Sequence, residues 1–561
     1  MYTLTFKIEN RPQDIKCQVE SGETVLRAAE RLGIEIDAPC AGNGTCGKCR
    51  VRLISGAIEM AQNPRLPYSD YEEGWRLACQ SRVIGDAVVW VPAAASAFKE
   101  DIATADLSTP EELERYEHAI DAIFSTGLSR SPDPEGCGIA VDIGTTTVTA
   151  ALLELTTGKV LSKASRGNGQ IRYGADVINR IIQQMKPGGK ERLQNAVREE
   201  TIIPIMEALF RDSGKTAQDI TRIVIAGNTT MEHLFIGADG DSIRLEPYVP
   251  EFLELTGVDA ARAGLPVSPD TPVIFAPNVG SYVGGDITAG VLDTLLWDSE
   301  LMTLFIDLGT NGELVFGNSE YMLTCACSAG PAFEGGDISC GMRATTGAID
   351  SVYIDKETLE PQYTLIAGEK PLGLCGSGLI DIISELFRTG AVNSKGRFVR
   401  ESRRIRYDEY GGNYIVAFAS ESGTGKDIEL TEGDLDNFIR AKAAIFSAIR
   451  TMLESLAMSV DDIDRVIIAG GIGSGIDIEK AISIGMLPLI PTEKYSYIGN
   501  SSLTGACAML LSEEAEQKVF DIGRNMTYIE LSTEPGYMDE FLAACFLPQT
   551  DHRLFERPEE S

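Results

Sequence analysis

The sequence predicts a multidomain α/β protein made of a small N-terminal unit, a linker and two related halves. Three observations carry that expectation. Cys40, Cys46, Cys49 and Cys79 cluster near the start, a stretch beginning AAASAFKEDIATADLSTP interrupts the chain, and the pattern Asp-x-Gly-Thr occurs at Asp142 and again at Asp307. The length of 561 residues suits about three to five folding units. With 43% hydrophobic and 24% charged residues, the chain has enough apolar side chains for several cores.

Residues 3–8 alternate with Leu4, Phe6 and Ile8 on one face, and Ile15, Cys17 and Val19 repeat the pattern after a turn, so the chain is expected to begin with a hairpin. Val25, Leu26, Ala28, Ala29 and Leu32 then follow at helical spacing before Gly33. The loop APCAGNGTCGKCRV carries three cysteines as C-x5-C-x2-C, and Cys79 completes the set. Four thiolates, three of them on one short loop, can wrap a [2Fe-2S] cluster, and the glycines between them let backbone N–H groups approach the sulfurs. A structural zinc site is the alternative, although zinc knuckles usually come in pairs and the fourth cysteine here stands alone. The arrangement resembles the β-grasp [2Fe-2S] ferredoxins over residues 1–92, with a five-residue first spacer similar to the adrenodoxin type.

Residues 93–136 read as a linker with Pro and Ser at both margins. Inside it, Thr109 and Glu112 can form a capping box with Pro110 at the first helical position, which predicts a helix from Pro110 to about Phe124. A helix between two flexible margins would let the N-terminal unit swing.

From Cys137 the chain reads as an apolar strand, a Gly/Thr turn and two further strands, and from Thr303 LFIDLGTNGELVFG repeats strand, turn and strand. The two Asp-x-Gly-Thr copies lie 165 residues apart, as expected of two pseudo-equivalent halves facing a shared cleft. We divide them at 137–297 and 298–561. The chemistry suits phosphate: Gly allows close backbone approach, turn N–H groups and Thr hydroxyls donate to phosphoryl oxygens, and Asp carboxylates can hold Mg²⁺. A third segment, RVIIAGGIGSGIDI, combines a buried strand with a glycine run that leaves room for a flat ligand.

These signals resemble the nucleotide site of the acetate and sugar kinase, Hsp70 and actin superfamily, a two-lobed ATPase fold. The resemblance implies phosphate contacts from Asp142, Gly144, Thr145 and Thr146, then from Asp307, Gly309, Thr310 and Asn311. It also implies that Gly470, Gly471 and Gly473 lie by adenosine and that Lys442, near the start of an expected helix at 438–458, reaches the nucleotide. Asp142, Asp307 and Glu313 are candidates for orienting water, with Glu334 nearby in sequence.

The whole pairing resembles the reductive activators of corrinoid proteins, on VDIGTTTV, YGADVINRI (173–181), AGNTTM (226–231), APNVGSYVGGD (276–286) and CSAGPAFEGGDISCGMRA (327–344). That family has a middle domain beginning near 137. The resemblance implies a [2Fe-2S] cluster, ATP and Mg²⁺, and a one-electron reduction of inactive Co(II) to Co(I) on a corrinoid partner, with an external low-potential electron donor and a homodimer. A redox-regulated small-molecule kinase and a nucleotide-gated electron carrier are the competing readings. Cys325, Cys327, Cys340 and Cys375 read as buried thiols, the alternative being a second iron site.

Charge narrows the partners. Lys plus Arg is 49 against 83 Asp plus Glu, a net of −34, so a nucleic acid would be repelled. No apolar run reaches the ~18 residues of a membrane helix, and the start lacks a basic and apolar leader. Sparse cysteines suit a reducing cytoplasm, and three histidines are too few for a multi-histidine metal site.

Overall fold

The computed structural model describes every residue except 10, 12, 35, 37, 39–41, 43, 45, 46, 64, 67, 93–105, 131–135, 472–474 and 557–561. Cys40, Cys46 and Gly473 therefore lie outside the described residues. Strands β1 (Tyr2–Ile8), β2 (Ile15–Val19), β3 (Arg50–Glu59), β4 (Trp75–Leu77) and β5 (Arg82–Val91) form one sheet in the order β2-β1-β5-β3-β4. The expected opening hairpin is present, and β1 also pairs parallel with β5. Leu4 and Phe6 are buried against the helix Val25–Arg31, which Thr24 caps by accepting from the Arg27 N–H.

The linker helix spans Pro110–Phe124 and opens with the expected capping box. The helix itself is packed down on the following domain. Ile120 and Ile123 are fully buried in a core that also contains helices 285–294 and 501–511, and Leu113, Tyr116 and Phe124 pack against it. Burial of a side chain of this size stabilises by about 1.5–3 kcal/mol, so the apolar stripe holds the helix down. Just before it, β6 (Asp106–Leu107) pairs with the edge of the next sheet.

That sheet and its successor share one design. In the first, β7 (Cys137–Ile143), β8 (Thr147–Glu154) and β9 (Val160–Gly167) form an antiparallel meander. β10 (Ile220–Gly227) then runs parallel to β7 and, after β11 (Val258–Asp259), β12 (Pro272–Phe275) runs parallel to β10. In the second, β13 (Thr303–Leu308), β14 (Gly312–Gly317) and β15 (Met322–Cys327) repeat the meander. Two small sheets intervene, formed by β16 (Ala348–Ile354), β17 (Pro361–Ile366) and β18 (Gly373–Leu374), and by β19 (Ile405–Asp408), β20 (Gly411–Ala417) and β21 (Ile428–Thr431). β22 (Arg465–Ala469) then runs parallel to β13 and β23 (Tyr495–Tyr497) parallel to β22, while β24 (Met526–Tyr528) joins the far edge beside β15. Strands β7 and β13 read as nearly unbroken apolar runs because both faces are covered.

The halves interlock through helices Gly285–Thr294 and Ser501–Leu511. Gly505 permits their close crossing, since a Cβ there would stand 1.9 Å from the Ala289 carbonyl oxygen. The second of these helices comes late in the chain yet packs on β7 and β10 of the first sheet, with Leu510 seated over Gly138. Among the described residues no helix is long and apolar enough to cross a membrane.

Candidate functional site

The two Asp-x-Gly-Thr turns close their meanders at equivalent points and face one another across a cleft of about 590 Å³. Asp142 stands opposite Thr149 on β8 and Ala226 on β10, and Asp307 stands opposite Glu313 on β14 and Ala469 on β22. Thr146 Oγ1 and Thr310 Oγ1, one from each turn, are 2.7 Å apart. Both reach Glu334 Oε2, at 2.6 and 2.9 Å respectively. Gly144, Thr145, Gly309 and Asn311 also line the cleft. A Cβ at Gly144 would lie 2.4 Å from the Thr147 carbonyl oxygen, so the first turn requires glycine.

Six carboxylates line the cleft: Glu112 from the helix Pro110–Phe124, and Asp142, Asp286, Asp307, Glu313 and Glu334. Burial pushes Asp142 up to about 6, opposed by hydrogen bonds from Asn500 Nδ2 (2.8 Å) and Ser502 Oγ (3.0 Å). Asp307 is pushed up to about 7, first by burial and then by the charges of Asp142 and Glu334. Asp286 and Glu313 rise well above the carboxylate range, chiefly by burial and further by neighbouring carboxylates. Crowded, desolvated carboxylates of this kind are relieved by a divalent cation, and the donor set fits Mg²⁺ with a polyphosphate.

Asn500 and Asn228 both brace the first hairpin. Asn500 caps helix Ser501–Leu511 and turns its amide N–H to Asp142, whereas Asn228 caps helix Thr229–Ile236 and donates to Thr145 Oγ1 at 3.0 Å. Beneath the first turn, the fully buried Arg180 donates to the Thr145 carbonyl and, at 2.9 Å, to the Gly174 carbonyl. In the second half Gly470, in the left-handed region at φ +97, abuts Asp307: a Cβ there would lie 2.9 Å from Asp307 Oδ1. Gly471 has open space at its Cβ position. Both glycines line the cleft.

In the N-terminal unit Cys49 and Cys79 are buried with their sulfurs 3.3 Å apart. Gly42, Gly44 and Gly47 all have φ between +70 and +91, and a Cβ at Gly42 would lie 3.8 Å from Cys79 Cβ. Gln80 Nε2 donates to the Gly42 carbonyl at 3.2 Å and approaches Cys79 Sγ at 3.8 Å. Two converging sulfurs under a glycine loop fit a thiolate-held iron–sulfur cluster.

Comparison with known proteins agrees along the chain. A model of the 2Fe-2S iron-sulfur cluster binding domain matches residues 8–83, one of the RACo middle region matches 137–299, and one of the C-terminal ASKHA domain of RACo matches 301–559. The corrinoid activation enzyme RamQ of Eubacterium limosum is 31% identical over 91% of this chain and 94% of its own. The chain belongs to the family of reductive activators of corrinoid proteins. A solved structure described as a reductive activator for corrinoid, iron-sulfur protein is 38% identical, covers 99% of this chain and 100% of that one, and superposes with a TM-score of 0.71. The [Co(II) methylated amine-specific corrinoid protein] reductase of Methanosarcina barkeri is 24% identical over 72% of this chain and 76% of its own.

For a reductive activator, the position of Lys442 is a correction. It is fully buried in helix Glu432–Ser455 and donates to the Phe546 and Pro548 carbonyls, outside the cleft. The C-terminal helix Tyr537–Ala544 covers that face with Phe541 and Ala544, so this lysine fastens the C-terminal segment. Lys442→Met is expected to cost about 2 kcal/mol through two orphaned carbonyls and to leave the KM for ATP unchanged, as paired melting and ATPase assays would reveal. Cys325, Cys327 and Cys375 are buried, and burial pushes the Cys327 and Cys340 thiols well up, away from the thiolate state. Sequence reasoning passed over Asp286, Asn228, Asn500 and Tyr116, all of which line the cleft.

Proposed function

We propose that the protein reductively activates a corrinoid protein in an ATP-dependent manner. One electron passes from its cluster to inactive Co(II) on the partner, giving the Co(I) that serves as nucleophile in methyl transfer. The observation that carries this reading is one chain holding both a pair of sulfurs 3.3 Å apart and a cleft in which two hairpin threonines meet at 2.7 Å. The relatives' names support the substrate class: one is a corrinoid activation enzyme and another a Co(II) corrinoid protein reductase.

Cys40, Cys46, Cys49 and Cys79 would hold the [2Fe-2S] cluster, which supplies single electrons when bound. Asp142 and Asp307 would hold Mg²⁺, and Thr145, Thr146, Gly309, Thr310 and Asn311 would donate to phosphoryl oxygens. Glu313, paired across the strands with Asp307, would orient the attacking water. Gly470, Gly471 and Gly473 would leave room for the nucleoside. An external low-potential donor must reload one electron per turnover. Each ~59 mV uphill costs about 1.4 kcal/mol for one electron, and preferential binding of nucleotide to one arrangement of the halves offsets that cost.

The cleft carboxyls also set a pH dependence. Asp142 and Asp307, raised to about 6 and about 7, bind more protons folded than unfolded, so their contribution to stability falls as pH rises from about 4 through those values. A dication bound to the ionised forms opposes that loss. The rise in Tm on adding Mg²⁺ is therefore expected to grow between about pH 5.5 and 7.5, and a pH-independent rise would remove both residues from the metal site.

The decisive test is the absorption spectrum of a Co(II) corrinoid protein mixed anaerobically with this protein and a reductant, with and without MgATP. Conversion to Co(I) only with ATP supports the reading. Unchanged Co(II) with an intact cluster and a competent partner refutes it.

A further inference from the structure

The helix Pro110–Phe124 joins the cysteine-bearing unit to the ATPase, and its inner face belongs to the ATPase cleft. Glu112, Arg115, Tyr116 and Ala119 contribute to the cleft lining. Among the described lining residues the cations are Arg115 and Lys163, with Glu112 of the same helix near Lys163. Lys163 stands 5.3 Å from the centre of the Tyr116 ring. Asp142 and Tyr497 are near enough to Tyr116 to reinforce the effect of burial in pushing its hydroxyl up. Tyr497 in turn donates to the Gly470 carbonyl at 2.8 Å. Tyr116 thus sits between the first hairpin and the glycine loop of the second half.

The helix is fastened at both ends, to the first sheet and to the late helices packed on that sheet. On one side Glu117 Oε1 accepts from the Val160 N–H at 2.9 Å, and Asp106 and Leu107 pair with β9. On the other, the Ser129 N–H donates to Glu514 Oε2 at 2.8 Å and Ser512 Oγ donates to the Ser129 carbonyl at 2.6 Å. So held, the helix forms one wall of the cleft, with Arg115 and Tyr116 toward its contents. A polyphosphate in the cleft also brings negative charge toward Arg115 and Lys163.

We propose that this helix positions the redox unit in response to nucleotide, with Arg115 and Tyr116 as the positioning residues that read the occupied cleft. The inference rests on the reading of the cleft as a nucleotide site. Nucleotide seats the helix more firmly and so fixes the point from which the chain leads back to the cysteine-bearing unit. Loss of nucleotide loosens the seat and frees the cysteine-bearing unit to exchange partners.

Hydrogen–deuterium exchange on the full chain, with and without Mg²⁺ and a non-hydrolysable ATP analogue, tests this directly. Peptides over 106–124 are expected to exchange at least about fivefold more slowly with nucleotide, within the range of ordinary couplings between sites. Arg115→Gln, at an exposed position where folding is preserved, is expected to lose that protection while peptides over 142–147 keep theirs. The same variant should lower the ATP-dependent rate of Co(II) reduction about tenfold at saturating ATP. Protection at 142–147 without any at 106–124 in the unaltered protein overturns the inference and leaves the nucleotide site standing. Absence of protection at both overturns the two together. Full protection of 106–124 in Arg115→Gln overturns the reading role of that residue.

Discussion

Asp307→Asn is expected to lower ATP hydrolysis about 10³-fold, the scale on which removing one electrostatic group from a phosphoryl-transfer site acts. The substitution keeps the shape of the side chain and removes its charge. Asp307 is partly buried beside Asp142 and Glu334, and burial first and then their charges push it up to about 7, so its ionised form is costly until a cation arrives. Losing that charge relieves repulsion in the empty cleft, and the Tm is expected to hold or rise while turnover collapses. Steady-state phosphate release and a melting curve on the same preparation separate the two effects. Unchanged turnover would withdraw the catalytic role, and a lowered Tm would contradict the account of the crowded carboxylates.

Cys49→Ser should bring bound iron from about two per chain to near zero and abolish ATP-dependent Co(II) reduction. Cys49 is completely buried and its sulfur lies 3.3 Å from that of Cys79. A serine hydroxyl is far less acidic than a thiol and is a poor substitute for a thiolate toward iron. Neither cysteine lines the cleft, so ATP hydrolysis in the absence of partner should persist. Iron analysis and the visible spectrum decide the matter: retention of a normal cluster would mean that Cys49 is not a ligand.

Much of this architecture was legible because its signals are local or repeated. The capping box at Thr109 and Glu112 marks the helix start from four residues alone, and the two Asp-x-Gly-Thr turns announce a duplication that the strand orders repeat. What escaped has long-range causes. Lys442 is an ordinary helical lysine until residues 546 and 548, about a hundred positions later, cover it. Asn228 and Asn500 look like plain helix caps, and only the sheet registers turn their amide groups toward Thr145 and Asp142. The same holds for the linker helix: its composition suggests a tether, whereas the stripe formed by Ile120 and Ile123 finds a core built by distant segments.

The late helix Ser501–Leu511 carries a consequence for synthesis. The first sheet has all its strands by Phe275, yet the helix that covers β7 and β10 is translated about 225 residues later. At roughly 5–20 residues per second the ribosome needs some ten to fifty seconds to supply it. Throughout that interval the face of Gly138 that Leu510 will cover stays open to water or to a chaperone. A fragment ending near residue 300 never receives its cover, and is expected to accumulate as aggregate or in complex with a holdase, whereas co-expression of the remaining segment should rescue it by complementation.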